Sequence, residues 1–196
     1  MPRTPEENER IRTIAKDKIR TAAIDVFIEK GFHKASIDDV AKKASISKGL
    51  MYNYYKGKTD LLAELVQVRM DEIVQVMEEA MKLPTPKEQL HYIAENSIRN
   101  VQEKPHVYRF YLNLQTHPEA DEIVSVYSQQ LKDEMAHHSK TQVEIFRNLN
   151  APNPWLASLH FSTALHGIML MYASYPDNFP LEELRHDMVT SFIDQY

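Results

Sequence analysis

The prolines of this chain divide the part beyond residue 80 into intervals of helical length. Eight of the ten lie there, at Pro84, Pro86, Pro105, Pro118, Pro152, Pro154, Pro176 and Pro180. Proline ends a helix because it lacks an N–H donor and clashes with the preceding turn. The residues that recur between these breaks, chiefly Ala, Leu, Glu, Lys, Gln and Met, favour helices. The sequence therefore predicts an all-α chain.

Apolar spacing and capping residues predict three short helices near the N-terminus. The first runs from about Ile11 or Lys16 to Glu29, with one buried stripe at Ile19, Ala22, Ala23, Val26 and Phe27. Gly31 then supplies a left-handed stop. Ser36 and Asp39 make a capping-box-like start for a second helix, and Ser47 caps a third that ends near Tyr54. A three-residue turn at 44–46 joins these two helices, which is the helix-turn-helix pattern.

Longer helices follow, at about 59–81, 87–103, 105–116, 119–149, 154–175 and 181–194, for about nine in all. Helix 154–175 is apolar on two faces, and the last helix has a broad apolar stripe. A helix that is apolar on two sides needs two partners, so we expect a second subunit to cover one side. The predicted dimer interface comprises Leu159, Ser162, Gly167, Leu170, Leu184, Met188 and Phe192.

The net charge of −5 is unevenly distributed along the chain. The first 60 residues hold 13 Lys or Arg against 9 Asp or Glu, so they are basic while the remainder is acidic. This asymmetry indicates that only the N-terminal part meets a polyanion. Chance clustering explains the charge distribution equally well when it is taken alone.

Several function classes are excluded or disfavoured. The absence of cysteine excludes disulfides, thiolate metal sites and cysteine nucleophiles. The N-terminus has no signal peptide, and no apolar run approaches the roughly 20 residues that span a bilayer, so we expect a cytoplasmic protein without a membrane partner. No nucleotide-binding glycine loop, serine elbow or His-Glu-x-x-His motif is present, so no enzyme is expected. Three pairs match the Glu-x-x-His spacing of di-iron sites, namely Glu88/His91, Glu134/His137 and Glu183/His186. At least two of them point to solvent, so we expect no metal and no other cofactor.

The segment "SKGLMYNYYKGK", residues 47–58, combines the groups that contact DNA. A helix that begins at Ser47 offers free N–H groups and its positive dipole end to an anion, and Lys48 lies at that end. Gly49 allows close approach of the backbone, and Leu50 offers only apolar contact, for instance with a thymine methyl. Neutral donors suited to phosphate oxygens follow in Tyr52, Asn53 and Tyr54, and Lys58 adds a positive charge.

Residues 22–62, "AAIDVFIEKGFHKASIDDVAKKASISKGLMYNYYKGKTDLL", resemble the DNA-binding domain of the tetracycline-repressor (TetR) family. The shared features occur in order: F-x-x-K-G-F, the serine cap, I-x-x-V-A-x-x-A, S-K-G-x-x-Y-x-Y-Y and K-x-x-L-L. The resemblance implies that the DNA-facing positions are Ser36, Ser47, Lys48, Gly49, Leu50, Tyr52, Asn53, Tyr54 and Lys58. Tyr55 matches a buried aromatic position. Packing of Tyr52 and Tyr54 against the fourth helix, and plain solvation of the two lysines, are the alternatives.

Three positions depart from the family pattern. The turn usually has glycine where this chain has Ser45, so the turn must tolerate a non-glycine conformation at modest cost. Leu50 replaces a small residue, and Asn53 stands where histidine is commoner. These changes leave the predicted docking mode intact but prevent the transfer of any known operator sequence.

The resemblance also implies a C-terminal domain that binds a ligand and forms a four-helix bundle with its partner. An apolar or aromatic small molecule with one or two polar groups would suit an aromatic and methionine-rich lining. The candidate lining residues are Phe110, Tyr111, Leu114, Tyr127, Met135, Trp155, Phe161, His166 and Met169. An ordinary solid core is the alternative for each of them.

The sequence thus predicts a DNA-binding domain over 12–58, joined by a long helix to a ligand-binding and dimerisation domain over 59–196. The predicted function is a ligand-responsive repressor that binds a palindromic operator in double-stranded DNA as a homodimer and is released by its effector. An activator of the same family, and a helical enzyme or carrier with a vestigial helix-turn-helix, are the alternatives.

Overall fold

The computed structural model describes residues 4–116 and 122–193, without the side chain of Phe192. This part of the chain forms nine helices and no strand, which confirms the all-α prediction. The helices are α1 (Pro5–Lys34), α2 (Ile37–Lys43), α3 (Lys48–Tyr54), α4 (Lys58–Met81), α5 (Pro86–Glu103), α6 (Pro105–Thr116), α7 (Glu122–Asn148), α8 (Pro154–Ser174) and α9 (Leu181–Ile193). Across the described residues, each helix is too short or too polar to cross a membrane.

The chain divides into two compact units, one ending at Val68 and the other beginning at Arg69. Helix α4 runs through this division, so the break in compactness falls inside the helix and not at its start. The prediction that the functional domains meet at residues 58 and 59 stays a prediction.

The first helix is longer than the apolar stripe indicated. Thr4 accepts a hydrogen bond from the backbone N–H of Glu7, and Pro5 occupies the first turn, where a missing N–H has no cost. Gly31 interrupts the helix with φ 73° and ψ 151°, a region of backbone space that is nearly exclusive to glycine. The predicted stop at Gly31 therefore exists, although one further helical turn follows it.

The helix-turn-helix is held by local capping. Ser36 and Asp39 form a reciprocal capping box at the start of α2. At its end, the N–H of Ser45 bonds to the carbonyl of Lys42 and that of Ile46 bonds to the carbonyl of Ala41, which is the Schellman arrangement. Ser45 accordingly has φ 52°, so the turn does place a non-glycine residue in the left-handed region.

The second unit is a helical bundle in which α8 packs against α5, α6, α7 and α9. Its core contains Phe146 and Phe161, whose rings meet edge to face with centroids 5.9 Å apart. Helix α8 carries apolar residues both on its buried side and on its exposed side. The exposed large apolar residues are Trp155, Leu156, Leu159, Leu170, Met171 and, beyond the helix end, Tyr175. Exposure of so many large apolar side chains on one helix marks an interaction surface.

Candidate functional site

Helix α3 has one buried side and one exposed side. Met51 is fully buried, and Tyr55 at the C-cap is 3% exposed. The opposite side carries exposed Leu50 and Tyr52, the latter with 53% of its surface accessible. Gly49 and Asn53 are exposed on the same helix. A helix that reads a nucleic acid groove needs an apolar buried side to anchor it and an exposed side with both polar and apolar groups.

The predicted serines are both occupied as caps. The hydroxyl of Ser47 accepts from the N–H of Leu50 at 3.1 Å, and that of Ser36 accepts from the N–H of Asp39 at 3.2 Å. Tyr54 is half-buried, with its ring centroid 6.4 Å from that of Tyr55. The two caps fix the starts of α3 and α2.

Lys48 is highly exposed and forms an ion pair with Asp38 of α2. The hydrogen bond to Asp38 raises the pKa of Lys48, so the ammonium stays charged. The other carboxylate oxygen of Asp38, Oδ1, has no hydrogen-bond partner among the described residues. The pair links α2 to the first position of α3.

Lys58 has a different environment from the one the sequence indicated. Its ammonium donates to three backbone carbonyls after the Gly31 break, those of Phe32 at 2.8 Å, His33 at 2.7 Å and Ala35 at 3.1 Å. A lysine ammonium has three N–H donors, so all of them are used here. The prediction that Lys58 contacts DNA stays a prediction, but in this structure the residue closes the end of α1.

Three donors converge on Glu64 of α4. Lys16 binds one carboxylate oxygen at 3.0 Å, while Arg20 and Tyr55 bind the other at 2.9 and 3.0 Å. Burial raises the pKa of Glu64, but the hydrogen bonds outweigh it, so the pKa is lowered. Burial and the bond to the carboxylate raise the pKa of Tyr55, which stays a neutral donor. This cluster ties α1 and the end of α3 to the first part of α4.

The second unit contains a cavity of about 300 Å³. Its lining combines an apolar part with a row of polar groups. The lining residues are Arg69, Glu72, Ile73, Val76, Met77, Ile93, Ser97, Asn100, Tyr108, Tyr111, Leu112, Gln115, Met135, His138, Ser139, Gln142, Trp155, Ser158, Leu159, Ser162, Leu165, His166 and Met169. This composition is that of a small-molecule site, mostly apolar with a few placed polar groups.

The structure brings together five of the nine predicted lining residues: Tyr111, Met135, Trp155, His166 and Met169. The other four lie outside the lining. Phe110, Leu114 and Phe161 are buried elsewhere in the unit, and Tyr127 is half-buried on α7. Which residues contact a ligand stays a prediction.

The predicted dimer residues are also dispersed. Gly167 and Leu170 lie on the exposed face of α8, whereas Leu159 and Ser162 line the cavity as well. Leu184 is half-buried. Met188 is 3% exposed and belongs to the core of its own subunit, since the stripe of α9 turns inward at this position. The side chain of Phe192 lies outside the described part of the chain, and the interface as a whole stays a prediction.

Sequence reasoning missed the polar lining contributed by α7. His138 and Gln142 fall on the apolar stripe of that helix, which continues through Leu131, Met135, Ile145 and Leu149. Polar residues within such a stripe are the signal that could have found them.

His138 lies 2.8 Å from a carboxylate oxygen of Glu134, without the alignment of a hydrogen bond. Burial lowers the pKa of this histidine. The predicted partner of Glu134, His137, instead stacks edge to face on His138. No cluster of three potential metal ligands occurs among residues 4–116 and 122–193.

Comparison with known proteins places these sites in context. Residues 19–65 match the family described as "Bacterial regulatory proteins, tetR family". The fatty acid metabolism regulator protein of Bacillus subtilis is 36% identical over 74 residues, covering 37% of this chain and 38% of that protein. The biofilm operon icaADBC negative transcriptional regulator IcaR of Staphylococcus epidermidis is 36% identical over 52 residues, covering 26% and 28%. The matched region thus spans well under half of either relative.

Among solved structures, FadR from Bacillus subtilis in complex with stearoyl-CoA superimposes with a TM-score of 0.66 at 16% identity, covering 91% of this chain and 98% of that one. At this identity the likeness shows a common fold over nearly the whole chain.

Proposed function

Because the chain belongs to the tetR family of bacterial regulatory proteins, we propose that it is a ligand-responsive transcriptional repressor that binds a palindromic operator as a homodimer. The observation that carries the proposal is the exposed side of α3, held by buried Met51 and by the Glu64 cluster. Two copies related by a two-fold axis would place one α3 in each of two successive major grooves. The matched relatives include IcaR, a negative regulator, and FasR of Mycolicibacterium smegmatis, an activator, so repression is part of this proposal and not of the family match.

The contacts proposed for the operator come from the exposed residues of α2, α3 and their caps. Lys48 supplies the positive charge, while Tyr52 and Asn53 supply neutral donors and Leu50 an apolar contact. Ser36, Ser47 and Gly49 lie beside them and fix the approach of the backbone. Tyr54 and Lys58 belong to the proposed contacts as well; in this structure Tyr54 is half-buried beside Tyr55, and Lys58 binds the end of α1.

Selection of DNA from a random pool by the purified protein tests this proposal, followed by fluorescence anisotropy on the selected site. We expect a palindromic consensus. Because the dimer presents two copies of each residue, Lys48→Ala should weaken binding to all sequences and reduce the slope of log K against log salt by about 2. Tyr52→Phe removes one hydroxyl from each subunit and should weaken binding by the dimer about 30-fold.

A matched control for the charge is Lys82→Ala, since Lys82 is also an exposed lysine with one acidic partner, Glu79. It should leave affinity and salt slope unchanged. No consensus, or equal effects of the two lysine substitutions, would contradict the assignment of α3 as the reading helix.

The exposed apolar face of α8 supports the homodimer. Leu170 is 42% exposed there, and a glutamate in its place would put a charge into a buried interface between subunits. Leu170→Glu should therefore give a monomer by sedimentation equilibrium and abolish tight binding to the palindrome. Val126→Glu, at an exposed apolar position of α7, should remain dimeric. A dimeric Leu170→Glu protein would argue for another interface.

The cavity of the second unit supports a ligand-responsive regulator. Helix α4 contributes Ile73 and Val76 to the cavity wall, and the same helix continues into the unit that carries α3. A ligand that binds one arrangement of this helix better than another shifts the population of DNA-competent dimers. The measurement is operator affinity with and without a bound ligand; an unchanged affinity at saturation would refute this part.

A further inference from the structure

The size and charge of the cavity restrict what it can bind. An apolar cavity of about 150 Å³ takes up one benzene, so a volume of about 300 Å³ suits one or two rings. Among the described lining residues the formal charges are those of Arg69 and Glu72, which pair with each other at 3.1 Å. Arg69 also stacks on Tyr111, with 5.8 Å from its guanidinium carbon to the ring centroid. The lining has no surplus charge, so a neutral ligand is favoured over an ion.

Gln142 contributes a free hydrogen-bond donor to this lining. The hydroxyls of Ser158 and Ser162 both donate to its Oε1, at 2.8 and 2.7 Å. Its amide nitrogen has no partner among the described residues, although the residue is only 7% exposed and lines the cavity. This nitrogen is not among the inaccessible unpaired side-chain atoms of the described residues, so it stays open to solvent or to a ligand, and a ligand atom that accepts a hydrogen bond would pair with it.

His166 contributes an acceptor beside that donor. Its Nδ1 lies 2.8 Å from the backbone carbonyl oxygen of Ser162. A carbonyl can only accept, so Nδ1 carries a proton, and Nε2 is an acceptor whenever the ring carries one proton. Because Ser162 contacts Oε1 of Gln142 and Nδ1 of His166, these two side chains are neighbours in the lining.

We propose that the cavity binds a compact, uncharged molecule of one or two apolar rings that carries a hydroxyl group. The hydroxyl oxygen accepts a hydrogen bond from the amide nitrogen of Gln142, and the hydroxyl group donates a hydrogen bond to Nε2 of His166. The apolar body lies against the wall that contains Val76, Leu165 and Met169. This inference rests on the proposed function, because it specifies the chemical class of its effector.

The test uses isothermal titration calorimetry of the full-length protein, without DNA, against three probes of equal ring size. 2-Naphthol has the hydroxyl and is neutral at pH 7, naphthalene lacks the hydroxyl, and 2-naphthoate is an anion. We expect 2-naphthol to bind at least about tenfold more tightly than either of the others, since only it pairs the two polar groups.

Two substitutions probe the pair separately. Gln142→Met removes the donor, and His166→Phe removes the acceptor while leaving the serine contacts to Gln142 in place. Each should weaken 2-naphthol about tenfold and leave naphthalene unchanged or tighter, which a misfolded variant would not do. Gln129→Met makes the same chemical change at an exposed position of α7 outside the cavity lining and should leave all three affinities unchanged.

Each remaining outcome overturns the proposal. Equal binding of 2-naphthol and naphthalene would mean that the polar pair recognises nothing, and tightest binding of 2-naphthoate would mean that Arg69 selects anions. Binding of none of the probes would refute the ligand class. DNA selection on the same protein reports separately, so a failure of operator binding and a failure of the cavity assignment are distinguishable.

Discussion

Replacing Glu64 by glutamine should loosen the whole N-terminal unit. The carboxylate accepts from Lys16, Arg20 and Tyr55, with heavy-atom distances between 2.9 and 3.0 Å. Glutamine has the same size, but it has one acceptor oxygen and no charge, and in either orientation its NH2 group would face a cation, Lys16 or Arg20. The substitution therefore removes charge-assisted hydrogen bonds and also leaves two cations close together without their shared counter-ion.

The magnitude follows from the exposure of the cluster. The side chains of Lys16, Arg20 and Glu64 are between 22% and 29% exposed, so solvent screens them only in part. A surface ion pair contributes about 1 kcal/mol or less, and breaking a fully buried pair costs about 3–5 kcal/mol. For this intermediate case we expect a loss of about 2 kcal/mol, which corresponds to about a 30-fold change in the opening equilibrium.

Hydrogen exchange followed by mass spectrometry measures the loss of stability of the N-terminal unit separately from the second unit. This separation is needed because the two units need not unfold together. Peptides that cover buried Val40 and Met51 should exchange about 30 times faster in the Glu64→Gln protein, while peptides of α8 should not change. The matched control is Glu79→Gln, which breaks an exposed ion pair with Lys82 on the same helix. Unchanged protection in Glu64→Gln, or the same loss in the control, would refute the reasoning.

Three further outcomes follow from the same unit. The folded pKa of Glu64 lies below its ordinary value of 4.5, so the stability that its charge contributes is complete above that pH and is lost on acidification. The difference in urea midpoint between the native protein and Glu64→Gln should therefore shrink from pH 6 to pH 3. Ser45→Gly should stabilise by up to about 1 kcal/mol, seen as slower hydrogen exchange in α2 and α3, because φ 52° strains a side chain but not glycine. Gly31→Ala should destabilise by about 1–3 kcal/mol, with faster exchange at the end of α1, although the added methyl would meet no atom within 4 Å. If the Gly31→Ala protein were as stable as the native one, the φ of 73° at residue 31 would impose no strain on a side chain.

Most helix boundaries could be predicted because their signals are local. Proline at the start of α5, α6 and α8, and the serine caps of α2 and α3, act within one turn of the chain. The left-handed conformation of Ser45 is also set locally, because a turn of this length needs a left-handed residue whatever side chain that residue carries. The first helix was predicted too short because Thr4 and Pro5 extend it by capping a polar segment that has no apolar stripe.

Side-chain partners were harder to predict because they depend on distant parts of the chain. Nothing local distinguishes Lys58 from Lys48, as both are lysines at the first position of a helix. Lys58 turns to carbonyls 23 to 26 residues away, whereas Lys48 remains exposed with one acidic partner. Charge alone therefore predicts that a residue is cationic, and the tertiary fold decides whether that charge is available to DNA.

The cavity lining could be predicted only in part. Of the predicted aromatic residues, Tyr111 and Trp155 line it, whereas Phe110 and Phe161 are buried elsewhere because flat, apolar rings fill a close-packed core well. The residues that remain beside the empty space include polar ones on otherwise apolar stripes, such as Gln142, which the surrounding core cannot satisfy completely. A buried amide that is satisfied at one end and free at the other is stable only beside a space that water or a ligand can enter. In this chain, polar residues within an apolar stripe, such as His138 and Gln142, therefore mark the cavity together with the aromatic residues Tyr111 and Trp155.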